Sequence, residues 1–314
     1  MLYPIMRNNR WGFIDPLGNE VVLPAYEGVG QYSEGLIRVQ RDGKWGFIDA
    51  RGNLAIPHQF DSVADFSDGL ARADIGDKCG FVDTTGRWAI EPRFYFAGWF
   101  RYGLADVSDG EKCWFVDRQG RDAFAARFDA AHDFHEGLAL VAVGESWGYL
   151  DLLGNMRVPV QFEGAAAGFQ EGLAWVVVEG LWGYIDCFGK SVISPRFNRV
   201  GDFTNGVAPA LRDGHCGFIN RNGEFVIPPR FPPRPVGIPE KQRQGLACRE
   251  FSEGLASVWW EGRYGFIGLS GDWVIHPEFD VAGDFESGLA HARIGKRAMW
   301  IDHRGIPVWE GIYE

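Results

Sequence analysis

Short runs of alternating apolar and polar residues follow one another along this chain, cut by turns containing glycine. Leu36-Ile37-Arg38-Val39-Gln40 is typical. Its second and fourth residues are apolar and its third and fifth polar, the period of a half-buried strand. Asp42-Gly43 follows, a pair suited to a hairpin turn. In Trp45-Gly46-Phe47-Ile48-Asp49, Phe and Ile point to opposite faces and both are apolar, which predicts a strand buried on both sides. That strand closes on Asp-x-x-Gly. Asp15-Pro16-Leu17-Gly18 matches a type I turn position by position. A third strand contains Ala55-Ile56-Pro57 and ends at Phe60-Asp61. Its proline cannot donate to a ladder and marks an edge or a strand end. Phe66-Ser67-Asp68-Gly69-Leu70 then leads into the next run, its glycine supplying a left-handed backbone. No segment has the length or the 3.6-residue period of a helix.

The same three strands recur. Trp11, Trp45, Cys79, Cys113 and Trp147 stand 34 residues apart, a fixed period that signals stacked repeats. The units fall at about 2–35, 36–69, 70–103, 104–137, 138–172, 173–206, 207–254, 255–288 and a partial 289–314. The chain reads as one all-β array of tandem three-stranded repeats, stacked as an open twisted solenoid. A closed propeller-like toroid is the alternative. The open form is favoured because both ends look like whole units. Tyr3-Pro4-Ile5-Met6 is a first strand whose proline suits an exposed edge, and the last unit runs on to Trp309-Glu310-Gly311-Ile312.

The Trp-Gly-Phe-Ile-Asp-x-x-Gly core and the Phe-Ser-Glu-Gly-Leu link resemble the WG-repeat (KWG) family of bacterial proteins, over practically the whole chain, 2–314. The resemblance implies a β-rich repeat array with an interaction role, and no catalytic motif to carry over. This chain departs from the pattern with Cys79, Cys113, Cys216 and Tyr264 in the Trp slot, with Ala126 where Pro is usual, and with Met299-Trp300 in the last unit.

Composition narrows the function classes. The net charge of −11 argues against general nucleic-acid binding and suits a basic partner. No run of 18 apolar residues is present to span a membrane. The N-terminus has no charged start followed by an apolar region, so a cytoplasmic location is expected, with a signal removed beforehand left open. Five cysteines form no CxxC pair, and three fill the aromatic slot, so they read as buried thiols in a reducing compartment. The recurring Asp looks like a row of carboxylates, but each sits where a side chain caps its own turn. The seven histidines are scattered. His132 and His135 flank Asp133 and read as surface polar residues rather than a metal site. With no HExxH, GxSxG or P-loop, the expectation is no enzyme, no cofactor and no metal.

Positions shared by all units serve the framework, so function is sought where units differ. In the first strand, the second and fourth residues are always small or apolar and should face inward. The third and fifth drift from Arg38/Gln40, Arg72/Asp74 and Asp106/Ser108 to Leu140/Ala142, Trp175/Val177, Pro209/Leu211 and Ser257/Trp259, then to His291/Arg293. Leu140, Trp175, Val177, Leu211 and Trp259 are therefore the candidate surface for a protein partner. The competing reading is that this face is covered by a neighbouring unit. The spacing from Cys216 to Tyr264 is 48, an excess of 14 within the proline-rich stretch 232–246. Residues 230–250 hold five basic and two acidic side chains, so Arg234, Lys241 and Arg243 join the candidate contact surface. A carbohydrate or cell-wall ligand is the second reading, resting on Trp99, Trp175, Trp259 and Trp260 as exposed platforms. An enzyme with a channel site is the third, supported only by the turn aspartates.

Overall fold

The computed structural model describes residues 2–233 and 246–312, and all of its regular structure is β. Its described residues form nine antiparallel sheets, six of four strands and three of three. Every sheet is a meander whose strands pair only with their chain neighbours. The second sheet is representative: Gly28–Ser33, Leu36–Arg41, Lys44–Asp49 and Leu54–Phe60 pair in that order. Two compact units hold these sheets, 1–161 and 162–313.

The sheets are the blades of a β-propeller, which corrects the open solenoid of three-stranded repeats. The unit gains a strand ahead of the one at which its sequence pattern begins. That strand is often only two residues long, as in Ser62–Val63, Gly164–Ala165 and Arg199–Val200, too short to show a period. Blades bond internally and meet face to face. Phe47 is buried against the link Phe66 of the following blade, whereas Ile48 packs with Phe13 of the preceding one. The same pairing joins Phe81 to Phe100, Phe115 to Phe134, Tyr184 to Phe203, Phe218 to Phe251 and Phe266 to Phe285, with ring centroids 4.6 to 5.0 Å apart. Such tilted pairs add about 0.5–1.5 kcal/mol each beyond the area they bury.

The link between units is also a staple. Ser33, Ser67 and Ser252 hydroxyls donate to the carbonyls of Phe66, Phe100 and Phe285 in the next blade. Glu34, Asp68, Glu171 and Glu253 carboxylates accept from the amides of Gly69, Gly103, Gly206 and Gly288. The turn that receives these bonds has two successive residues at positive φ, for example Asp68 and Gly69 at 52° and 73°. The turn aspartates do as the sequence predicts: Asp49 accepts from the amides of Arg51 and Asn53, and Asn220 does the same for Asn222 and Glu224.

The glycine of Trp-Gly-Phe has a stricter cause. Trp45 pairs with Phe60 and Phe47 with Ile56, so two residues of one strand oppose four of the next. The excess bulges across Gly46, and a Cβ there would lie 2.5 Å from the Ile56 carbonyl oxygen. Pro57 sits in the bulge rather than at a strand end. The equivalent carbonyl crowds Gly12, Gly80, Gly148, Gly183, Gly217 and Gly265. Two blades lack the glycine. In the fourth, Trp114 takes its place, and residues 121–128 meet the sheet only through the bridges Val116–Asp122 and Cys113–Phe128. In the ninth, Met299 takes its place and pairs regularly with Glu310. Gly46→Ala is expected to destabilise the protein by about 1–3 kcal/mol through this backbone clash. Thermal unfolding of the variant checks it, and a melting temperature within a degree of the parent refutes the close approach.

Candidate functional site

The first strand decides where the candidate residues lie. Its second and fourth residues, such as Ile37 and Val39, pack with Phe13 of the preceding blade. Its third residue looks the other way, onto the following blade. The Arg38 Nε donates to Asp65 Oδ1 at 2.9 Å and its Nη1 to the Val63 carbonyl at 2.9 Å. The Arg72 Nη1 reaches the Ala97 carbonyl at 3.2 Å. The drifting face is thus covered over part of its width. Leu140 is only 3% exposed and serves as core, so it drops out of the accessible surface. Trp175, Val177, Leu211 and Trp259 are half-buried. Val177 pairs across the strands with Trp182, and Leu211 packs on the cluster around Phe218 and Phe251. Arg234, Lys241 and Arg243 lie outside the described residues.

Trp175 opens onto a cavity. A cleft of about 320 Å³ is lined by Trp175, Trp182, Arg199, Asp202, Arg249 and Glu250 among others. The two indoles pack at 4.4 Å between centroids, tilted by 37°, and the Arg199 guanidinium lies 5.5 Å from the Trp182 ring. The floor is held from beneath. Buried Tyr184 donates its hydroxyl to the Gly201 carbonyl at 2.6 Å, and burial pushes that phenol well above its usual range. Glu250 accepts from the Asp202 amide at 3.3 Å, and Arg249 pairs with Asp284 at 2.7 Å.

Sequence reasoning missed Trp182, because it stands at a framework position, and it missed the acid before the link aromatic. Asp65, Asp133, Asp202, Glu250 and Asp284 all occupy that slot. The recurrence is visible in the chain, but only the blade-to-blade packing shows that it opposes the third residue of the preceding blade. Among the described residues, no three His, Cys, Asp or Glu side chains gather to hold a metal ion. His135 Nε2 lies 3.2 Å from Asp133 Oδ2, and Arg101 holds the same carboxylate at 2.6 Å. Cys79, Cys216 and Cys248 are buried and in no disulfide, and burial raises Cys79 to about 11, which leaves it unreactive.

Where the fourth blade meets the fifth, the opposing residues Asp106 and Asp133 are both acidic. Asp106 is 4% exposed, its carboxylate lies against the Cα of Gly98, and its Oδ1 has no hydrogen-bond partner. Burial, and then the negative charge of Asp133, raise its carboxyl from 3.8 to about 7. The folded chain therefore keeps this proton while the unfolded chain has released it. The resulting stabilisation is complete below about pH 4 and is lost as pH rises to about 7, a change of about 4 kcal/mol. Asp106→Asn, which cannot ionise, should lose less melting temperature than the parent between about pH 5 and about pH 8. Calorimetry at both values decides, and equal losses in the two proteins would contradict the buried acid.

Known proteins can now be set beside this geometry. The family described as WG containing repeat matches residues 11–45, 45–79, 80–113, 115–145, 147–182, 182–214, 217–232 and 264–297. No curated protein matches the chain. Among solved structures, the chain is similar to a eukaryotic initiation factor at a TM-score of 0.66 and 10% identity, over 99% of this chain and 96% of that one. It is also similar to dihydro-heme d1 dehydrogenase NirN (TM-score 0.48, 13% identity, 87% and 72% covered) and to Hsv2p of Kluyveromyces lactis (0.45, 10%, 80% and 97%). The first likeness agrees with the propeller and speaks to fold alone. With its repeats matched along most of its length, the chain belongs to the WG-repeat family.

Proposed function

We propose that this protein is a non-catalytic β-propeller scaffold that holds a protein partner at the cleft of Trp175 and Trp182. The observation that carries the reading is the composition of that cleft. A half-buried indole pair forms its centre, and Arg199, Asp202, Arg249 and Glu250 form a charged rim. Tryptophan and arginine inside a polar rim are the make-up of interface hot spots. The frame beneath is rigid: the floor carbonyl is held by Tyr184, and blades are stapled to their neighbours. A cleft of this size takes one or two partner side chains, and the acidic body favours a basic partner through long-range attraction. Catalysis finds no support in the turn aspartates, because one oxygen of each carboxylate is committed to two backbone amides.

The test begins with capture of the partner from the native host and continues with its affinity for purified variants. Trp175→Asp should keep the parental melting temperature within a few degrees and weaken the partner at least about 30-fold, the scale of a hot spot. Leu140→Asp should instead unfold the chain, because it buries an unpaired charge. Undiminished binding by Trp175→Asp, or its unfolding, would remove the cleft from consideration.

A further inference from the structure

The fourth blade breaks the repeat at two places that the framework does not need. Phe96 stands where other blades carry Gly28, Ser62, Ala130, Gly164, Arg199, Ala247 and Val281. Trp99 stands in the slot before the link aromatic, where Asp65, Asp133, Asp202, Glu250 and Asp284 are found. Neither ring serves as core: Phe96 is 46% exposed and Trp99 47%. Both line a cavity of about 290 Å³ within the first unit, together with Arg38, Asp65 and Arg72.

The polar side of this cavity is built and balanced. Arg38 is pinned by Asp65 and by the Val63 carbonyl. Arg72 is pinned by the Ala97 carbonyl, lies 3.3 Å from Asp74, and sits over the Phe96 ring at 5.6 Å. Each guanidinium therefore has its own carboxylate, and the site offers no net charge to attract an ion. It offers fixed planar donors and acceptors beside two exposed rings, Phe96 with the Arg72 guanidinium over one face. Adjacent hydroxyls suit a guanidinium fork or a carboxylate, and an aromatic face suits the C–H side of a sugar ring. The volume lies at the small end of ligand pockets, the scale of one ring.

We infer that the Phe96–Trp99 cavity is a binding site for a neutral sugar ring within an oligosaccharide, separate from the partner cleft of the second unit. Titration calorimetry tests it with cellotriose, maltotriose and chitotriose as neutral probes and a trimer of galacturonic acid as the charged one. At least one neutral probe should bind at millimolar concentration or below. Trp99→Ala should weaken that binding at least about 10-fold, and Phe96→Ser should weaken it too, each with the parental melting temperature. Trp175→Ala should leave it unchanged, so the sugar site stands or falls apart from the partner cleft. No binding of any neutral probe up to about 10 mM, binding of the charged trimer alone, or binding indifferent to both ring substitutions would overturn the inference. If Trp99→Ala does not fold, Phe96→Ser and Arg72→Lys decide, since the lysine keeps the charge and loses the planar fork.

Discussion

The blade depends on one close approach, that of a third-strand carbonyl to the glycine of Trp-Gly-Phe. The third strand runs four residues against two there, and its backbone passes where any Cβ would stand. Seven blades keep the glycine, and six of them show the doubled register shift. The two that lose it differ as the cause requires. Met299 allows regular pairing with the shift reduced to one place, and Trp114 leaves its blade with no third strand beyond isolated bridges. Trp114 instead packs edge-on to Phe94 and lies under the Arg127 guanidinium. A residue type is thereby explained by a steric event, and the prolines of the bulge follow, since they have no amide to leave unpaired there.

A second regularity carries this blade from one neighbour to the next. The second strand gives its Phe or Tyr to the following link aromatic, and the link gives a hydroxyl and a carboxylate to the following turn. Ser, Glu and Gly of the link are hence inter-blade bonding groups as much as turn formers. In a frame bonded this way, framework positions have little freedom. Positions outside that bonding carry the differences between blades, and the two clefts lie there.

Much of this was legible in the chain. The period, the strand that is apolar on both faces, the turn-capping aspartates and the left-handed link all follow from local rules that act within about five residues. The propeller itself was present only as the alternative to an open solenoid. The short inner strands, such as Ser62–Val63, have no length in which to alternate, and face-to-face packing leaves no mark on a single unit's pattern. The same blindness affected the candidate surface. Trp175 and Leu140 occupy equivalent positions, yet one opens onto a cleft and the other is core. Phe96 was passed over because its apolar character fits a strand, and only its exposure sets it apart.

The fourth blade gathers several departures: Trp114 for the glycine, the buried Asp106, and exposed rings at Phe96 and Trp99. These departures fall where the frame is already relaxed, while seven of the other blades keep the glycine and its close approach. Hydrogen exchange read by mass spectrometry tests the steric rule most directly, by comparing Trp88–Phe94, the bulged third strand of a glycine-bearing blade, with 122–128 of the fourth blade. The account predicts slow exchange in the first and fast exchange in the second. Equal protection of both segments would contradict it.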